Sequence, residues 1–253
     1  MQLLDGKIAL ITGAARGIGS AIAKTFIEFG AKAVIGDIDK SNIQEIETKI
    51  NKAHPGSVVA AELDVGDMDS VSNFVDLAVN QFGKIDILVN NAGVHRSYAF
   101  LDFPMADFDL VYRVNVKGML ICSQLAARQM VRQGNGGCII SISSASGKKA
   151  DQGGTAYNSS KSAMIGLNRI MALELGQYGI RANCVLPGAT DTEMLRAVFE
   201  AEPSLKTILE ERTPLGHIAV PRDQANTCVF LASDLAAHIT GEQIVVSGGE
   251  YMN

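Results

Sequence analysis

Tyr157 and Lys161 stand four residues apart in Tyr157-Asn158-Ser159-Ser160-Lys161. On a helix that spacing puts both side chains on one face, where they can act on one substrate. A free phenol has a pKa of about 10, too high for efficient proton transfer near neutrality. A neighbouring ammonium favours the phenolate and lowers that value, which fits a tyrosine to exchange a proton with a substrate oxygen. Taken alone, such a pair is common on half-exposed helices, so its meaning rests on the rest of the chain.

A second set of residues is suited to a dinucleotide. The first apolar run leads into Thr12-Gly13-Ala14-Ala15-Arg16-Gly17-Ile18-Gly19, followed by a helical pattern. Gly13, Gly17 and Gly19 let backbone approach a ligand closely. The helix behind them offers unpaired N–H groups and a positive dipole end to a pyrophosphate. The spacing is G-x-x-x-G-x-G, a variant of the common dinucleotide fingerprint, and an acid at the end of the second strand strengthens it. That acid is Asp37. Its carboxylate can accept from both ribose hydroxyls of an adenosine and repels a 2′-phosphate, which favours NAD(H). Arg16 argues for NADP(H), and the carboxylate outweighs it because two anions in one pocket are costly. Asp39 reads as a helix cap.

The elements that position these residues alternate. Apolar runs at Ile8–Thr12, 33–36, 57–63, 85–90, 138–143, 180–186 and Gln243–Val246 are rich in Val and Ile and do not alternate in polarity. Parallel strands covered on both faces look like this. Segments of helical length such as 17–29, 67–82, 108–132 and 155–177 lie between them. The pattern predicts one α/β domain over residues 1–253: a Rossmann-type, doubly wound parallel sheet of about seven strands with helices on both faces. Residues 188–221 break the pattern, with Met194, Leu195, Val198 and Phe199 set among charges and three prolines. A long connection in a compact domain is usually functional, and here it predicts a lid over the substrate.

Composition removes other classes. The net charge of −5, without a Lys/Arg run, excludes a nucleic-acid footprint. Cys122, Cys138, Cys184 and Cys228 are too dispersed for a metal or redox pair, and point to a reduced compartment. His54, His95, His217 and His238 show no metal spacing, so no metal is expected. No basic segment precedes an apolar one at the start, and no apolar run reaches bilayer length, so a soluble, cytoplasmic chain with no membrane partner is expected.

With these residues in hand, the whole chain resembles the short-chain dehydrogenase/reductase family. The resemblance is carried by Thr12–Gly19 as T-G-x-x-x-G-I-G, Asp64-Val65, Asn90-Asn91-Ala92-Gly93, Asn115, Ser144 thirteen residues before Tyr157, and Pro187-Gly188 with Thr192. It departs from the pattern at Ser247, where an Asp is usual, which bears on packing or assembly more than chemistry. The resemblance implies hydride transfer between NAD(H) and an alcohol or carbonyl. Tyr157 would be the proton donor and acceptor, and Ser144 would hydrogen-bond the substrate oxygen. Lys161 would hold the nicotinamide ribose and depress the tyrosine pKa. Asn115 would hold a water that continues the proton path. Asp64 and Val65 would meet the adenine, and Asn91 would support the central strands. Thr192 and the backbone after Pro187 would fix the carboxamide. The family also implies pairing of the two long helices into a homotetramer.

The stretch 145–155 before Tyr157 carries no large apolar residue, which suggests a small polar substrate such as a polyol, sugar or cyclic alcohol. His95 lies just beyond Asn-Ala-Gly, where it can face the substrate or simply the solvent. Lys148 and Lys149 read as solvated charges. The competing readings are a 3-oxoacyl-(acyl-carrier-protein) reductase using NADPH, and a non-catalytic dinucleotide sensor, which the retention of Asn115, Ser144, Tyr157 and Lys161 opposes.

Overall fold

The computed structural model describes residues 2–202 and 204–252; the side chains of Met194, Ala197 and Ala201 lie outside the described residues. In chain order the major elements are β1 Ile8–Thr12, α1 Gly17–Glu28, β2 Lys32–Asp37, α2 Lys40–Ala53, β3 Val58–Glu62, α3 Met68–Phe82, β4 Ile87–Asn90, α4 Met105–Tyr112, α5 Met119–Gln133, β5 Gly137–Ile142, α6 Thr155–Leu175, β6 Ile180–Pro187, α7 Glu193–Ala201, α8 Ser204–Arg212, α9 Pro221–Ala232 and β7 Gln243–Val246.

All seven strands pair in parallel, in the order β3-β2-β1-β4-β5-β6-β7. β1 and β4 are fully buried, with every residue inside. Helices cover both faces. Phe26, Ile22 and Ile43 pack with Cys138, Cys228 and Val229 against one face. Phe74, Val71, Cys122 and Met130 pack against the other. A small third cluster joins Ile165 of α6 to Cys184 and Leu186 of β6. All four cysteines are buried and reduced. The strand order reverses between β1 and β4, and ligands of such sheets bind outside the carboxyl ends of the strands at that point.

Two features depart from the sequence reading. The segment expected as one helix over 108–132 begins at Met105 and contains a π-helical turn, Arg113–Gly118, between α4 and α5. Such turns insert one extra residue and are frequent at functional sites; this one contains Asn115. The segment 188–221 was expected to be irregular, but it forms α7 and α8. Thr192 caps α7, its Oγ1 accepting from the Leu195 N–H at 3.4 Å. The base of the segment is fastened by backbone bonds from Ala219 N to Ala189 O at 3.1 Å and from Asp191 N to Ala219 O at 2.8 Å. Leu195 and Phe199 are partly buried, and Val198 is exposed. Met194, expected to line the lid, has its side chain outside the described residues.

No helix among the described residues is long and apolar enough to cross a membrane. No cluster of metal-ligating side chains occurs among them either. Leu120 and Val131 on α5, with Ile170 and Leu173 on α6, remain exposed on the helices where the sequence suggests a partner copy.

Candidate active site

The glycine loop is tied to the end of β4 by side chains from both sides. The Thr12 hydroxyl accepts from Asn91 N and Ala92 N, each at 3.1 Å. Asn91 Nδ2 donates to Thr12 O at 3.0 Å and Gly13 O at 2.7 Å. Asn91 therefore supports the central strands, as the resemblance implies; Thr12, the other half of this brace, was seen in the sequence only as part of the loop. Gly13 has φ +65, and a Cβ there would lie 2.7 Å from Ala92 Cα. A Cβ on Gly19 would overlap the Gly13 carbonyl. Backbone thus fills the space side chains would need. Arg16 is exposed and precedes α1 in extended conformation, and no side chain caps that helix. Ile18 anchors the turn against the core.

Asp37, half-buried at the end of β2, accepts from Ala15 N through Oδ2 and from Asp39 N through Oδ1, both at 3.0 Å. It therefore bridges the glycine loop and the β2–α2 turn. Asp39 caps α2, accepting from Asn42 N at 3.2 Å, and this backbone bond is the chief reason its carboxyl lies below the usual range.

At the end of β3, Asp64 Oδ1 accepts from Gly66 N at 2.9 Å, and Oδ2 pairs closely with Arg113. The side chain expected to meet an adenine is thus already held by a guanidinium that the sequence reading missed. Val65 is buried against Gly118, where a Cβ would lie 2.6 Å from Val65 Cγ2.

The chemical end is built on α6, β5 and the π turn. Tyr157 and Lys161 share a face of α6, with Lys161 Nζ 5.5 Å from the phenol centroid. Lys161 is buried and donates from Nζ to Ile142 O at 2.9 Å. Burial lowers its pKa from 10.5 to about 8. Burial also pushes the Tyr157 phenol up, while its hydrogen bond with Ser144 lowers it. The depression expected from Lys161 is not seen here, because desolvation dominates and the ammonium itself is weakened. Ser144 caps the short turn Ala145–Gly147, its Oγ accepting from Ser146 N at 3.1 Å.

Asn115 is fully buried and holds the loop beyond β4 at both backbone groups. Its Oδ1 accepts from Val94 N at 2.8 Å, and Nδ2 donates to Val94 O at 3.1 Å and Ser160 Oγ at 3.0 Å. Gly93 passes between the two groups of the expected proton path: a Cβ there would lie 3.3 Å from Asn115 Oδ1 and 3.5 Å from Lys161 Nζ. Two serines matter beyond the sequence reading. Ser160 links Asn115 to the Tyr157 carbonyl, donating to it at 2.7 Å. Ser143, at the end of the apolar run 138–143, donates to Lys161 O at 2.9 Å and so helps seat the lysine.

Around this centre, His95 meets the Tyr157 ring edge-on, with centroids 4.8 Å apart at 75°. Lys149 is not simply solvated, as expected: its ammonium sits 4.9 Å from the Tyr251 ring centroid, tying the 145–155 stretch to the C-terminal segment. Ser247 closes that segment, accepting from Tyr251 N at 3.1 Å and donating to Tyr251 O at 3.2 Å, a packing role as expected. Pro187 is buried at the end of β6, and Gly188 lies where a Cβ would meet Ser247 Cβ at 2.6 Å. Thr192 approaches the glycine loop, its Cγ2 lying 3.4 Å from where a Cβ on Gly17 would stand.

A family model described as Enoyl-(Acyl carrier protein) reductase matches residues 13–250. An L-rhamnose 1-dehydrogenase (NAD(P)(+)) from Sphingomonas sp. is 40% identical over 100% of this chain and 99% of its own. A 3-oxoacyl-(acyl-carrier-protein) reductase from Thermotoga maritima is 38% identical over 97% of this chain and 98% of its own. The solved structure of a 7α-hydroxysteroid dehydrogenase complexed with NADH and 7-oxo glycochenodeoxycholic acid superposes with a TM-score of 0.93 at 38% identity, covering 99% of this chain and 97% of that one. This chain belongs to the short-chain dehydrogenase/reductase family, as an NAD(P)-dependent oxidoreductase acting on alcohol and carbonyl groups.

Proposed function

We propose that the enzyme uses NAD(H) in preference to NADP(H) and acts on a small polar hydroxy or keto compound. The observation that carries the cofactor half is Asp37: its carboxylate bridges Ala15 and Asp39 at the mouth of the glycine loop. A 2′-phosphate brought there meets a fixed anion. The substrate half rests on the rim. Ser146 donates to Asp151 Oδ2 at 2.8 Å, Lys149 lies beside Tyr251, and His95 stands against Tyr157. Long apolar chains need an extended apolar lining, whereas the groups named on this rim carry polar or charged ends.

In this reading Gly13, Gly17, Ile18 and Gly19 cradle the pyrophosphate at the uncapped end of α1, with Arg16 at its edge. Asp64 and Val65 flank the adenine. Pro187, Gly188 and Thr192 border the nicotinamide, which supplies or removes the hydride. Ser144 orients the substrate oxygen and stabilises charge that develops on it. Tyr157 gives that oxygen its proton, or takes it in the oxidative direction. Lys161, held by Ile142 O and Ser143, keeps the phenol placed and binds ribose hydroxyls. Asn115 continues the proton path.

An NAD+ and NADP+ absorbance screen against polyols, sugars, cyclic alcohols, aryl alcohols and 3-hydroxyacyl thioesters tests both halves. Wild type should favour NAD+ in kcat/KM, and Asp37→Ala should narrow the gap chiefly by losing NAD+ activity, because Ala15 and Asp39 also lose their acceptor. A preference for NADPH with acyl thioesters would instead establish the carrier-protein reductase reading, towards which the Thermotoga relative points. Long-chain or aryl alcohols exceeding every polyol by more than tenfold would sink the polar-substrate half.

The segment 188–221 serves as the lid in this scheme, with α7 and α8 moving on the fastened base at Ala189, Asp191 and Ala219. Such covering segments are drawn from the less stable parts of a fold. Protease should cut near 193–212 several times more slowly with cofactor and substrate bound. Equal cutting in both states would make it a fixed wall.

A further inference from the structure

We propose that His95 determines substrate specificity by hydrogen-bonding an oxygen on the carbon next to the reacting one, so that the preferred substrates are vicinal diols and 2-hydroxy ketones. The inference rests on the polar-substrate reading above and sharpens it. Its basis is the contact between the imidazole and the ring of the proton-exchanging Tyr157, at 4.8 Å and 75°. A substrate oxygen that reaches the phenol places its neighbouring carbon within reach of that imidazole.

The backbone that carries His95 is held on both sides. Val94, before it, is bonded through both its N–H and its carbonyl to Asn115. After it, Arg96 donates from Nη1 to His95 O at 2.9 Å, and Arg96 Nε lies 3.5 Å from Asp107 Oδ1. Tyr98 donates to the other oxygen of Asp107 at 2.7 Å, closing the loop. The histidine stands exposed at the rim of the site, against the Tyr157 ring, and is presented from a braced segment anchored to the expected proton path. Burial first, and then the Arg96 charge, lower its pKa below 6.5. That shift favours the uncharged ring, with one nitrogen as donor and the other as acceptor. A neutral imidazole can serve a hydroxyl or a carbonyl on the adjacent carbon, and it leaves the phenol's acidity to burial and Ser144. A substrate lacking that oxygen leaves the imidazole without its partner, and sites built around a hydrogen bond reject such analogues.

The test compares matched substrates: the most active polyol or hydroxy ketone from the screen, and the same molecule lacking the hydroxyl next to the reacting carbon. Wild type should favour the hydroxylated member by tenfold or more in kcat/KM. In His95→Phe that preference should fall at least tenfold, mainly through KM, while His95→Gln, which keeps a donor and an acceptor, should recover part of it. NADH affinity, followed by fluorescence titration, reports whether either variant is misfolded. Equal losses on both members, or no wild-type preference, would overturn the proposal. The polar-substrate reading is judged separately, by wild-type ranking alone. Should aryl or long-chain alcohols lead the screen, the same ratio is read on their 2-hydroxylated forms, so His95 stands or falls independently.

Discussion

Replacing Tyr157 by phenylalanine should lower kcat by about a hundredfold or more, the usual worth of a positioned acid/base, while NADH binding stays within about threefold. The ring would remain, and with it the packing against His95 and the place beside Lys161. Only the hydroxyl is lost, together with its bond to Ser144. The wild-type pH profiles supply an independent reading. Burial holds the phenol in its protonated form around neutrality, so carbonyl reduction finds its acid ready, whereas alcohol oxidation needs the phenolate and should climb as pH rises. In the variant that rise should disappear from whatever activity is left. Near-normal turnover, or an unchanged oxidative pH profile, would remove Tyr157 from the mechanism.

Lys161→Met should lose turnover on a similar scale and yet melt at a higher temperature at pH 7. Lys161 is 4% exposed, and its pKa falls from 10.5 to about 8. Keeping it charged in the folded protein costs about 3 kcal/mol, at 1.36 kcal/mol per pKa unit. The sign follows from the depressed folded value. Below pH about 8 the lysine is protonated both folded and unfolded, so the cost is present in full. Between about 8 and 10.5 the unfolded chain binds the extra proton, so wild-type stability climbs with pH. Above that range the cost is gone. Methionine keeps the length of the side chain and loses the charge, along with the charge-assisted bond to Ile142 O, itself worth about 2 kcal/mol. The remaining 1 kcal/mol or so corresponds to roughly 2–4 °C for a domain of this size. Calorimetry at pH 7 and pH 10.5, without cofactor, should show the gain only at the lower pH. A variant that melts lower at pH 7 would mean that the Nζ–Ile142 bond outweighs desolvation.

The strands were legible because both faces of the sheet are covered. The central strands β1 and β4 therefore appear as short apolar runs without alternation, and β4, expected over 85–90, occupies Ile87–Asn90. Tyr157 and Lys161 were legible through residue type and spacing, Ser144 and Asn115 through the family resemblance, and the fold brings the four to one place. What the sequence hid has physical causes. The π turn adds a single residue to a continuous apolar pattern, so it leaves no mark on the periodicity around Asn115. α7 and α8 mix charges with apolar residues and bury little of their surface, and so they looked irregular. Ser143, Ser160 and Thr12 act through hydroxyl bonds, mostly to backbone groups, which no spacing announces. Arg113 is paired with Asp64, and Lys149 with Tyr251, only once distant segments have been brought together.

The four buried cysteines turn the molecule into its own reporter of opening. Burial pushes the thiols of Cys122 and Cys184 up to about 12, that of Cys138 to about 11, and that of Cys228 higher still. The reactive thiolate is therefore scarce in the native chain, and a sulfhydryl reagent must wait for the surrounding helices to part. Cys138 and Cys228 belong to one face of the sheet, Cys122 to the other, and Cys184 to the small cluster beneath α6. Mass-resolved alkylation at each position would thus time the exposure of each layer separately, without any introduced dye.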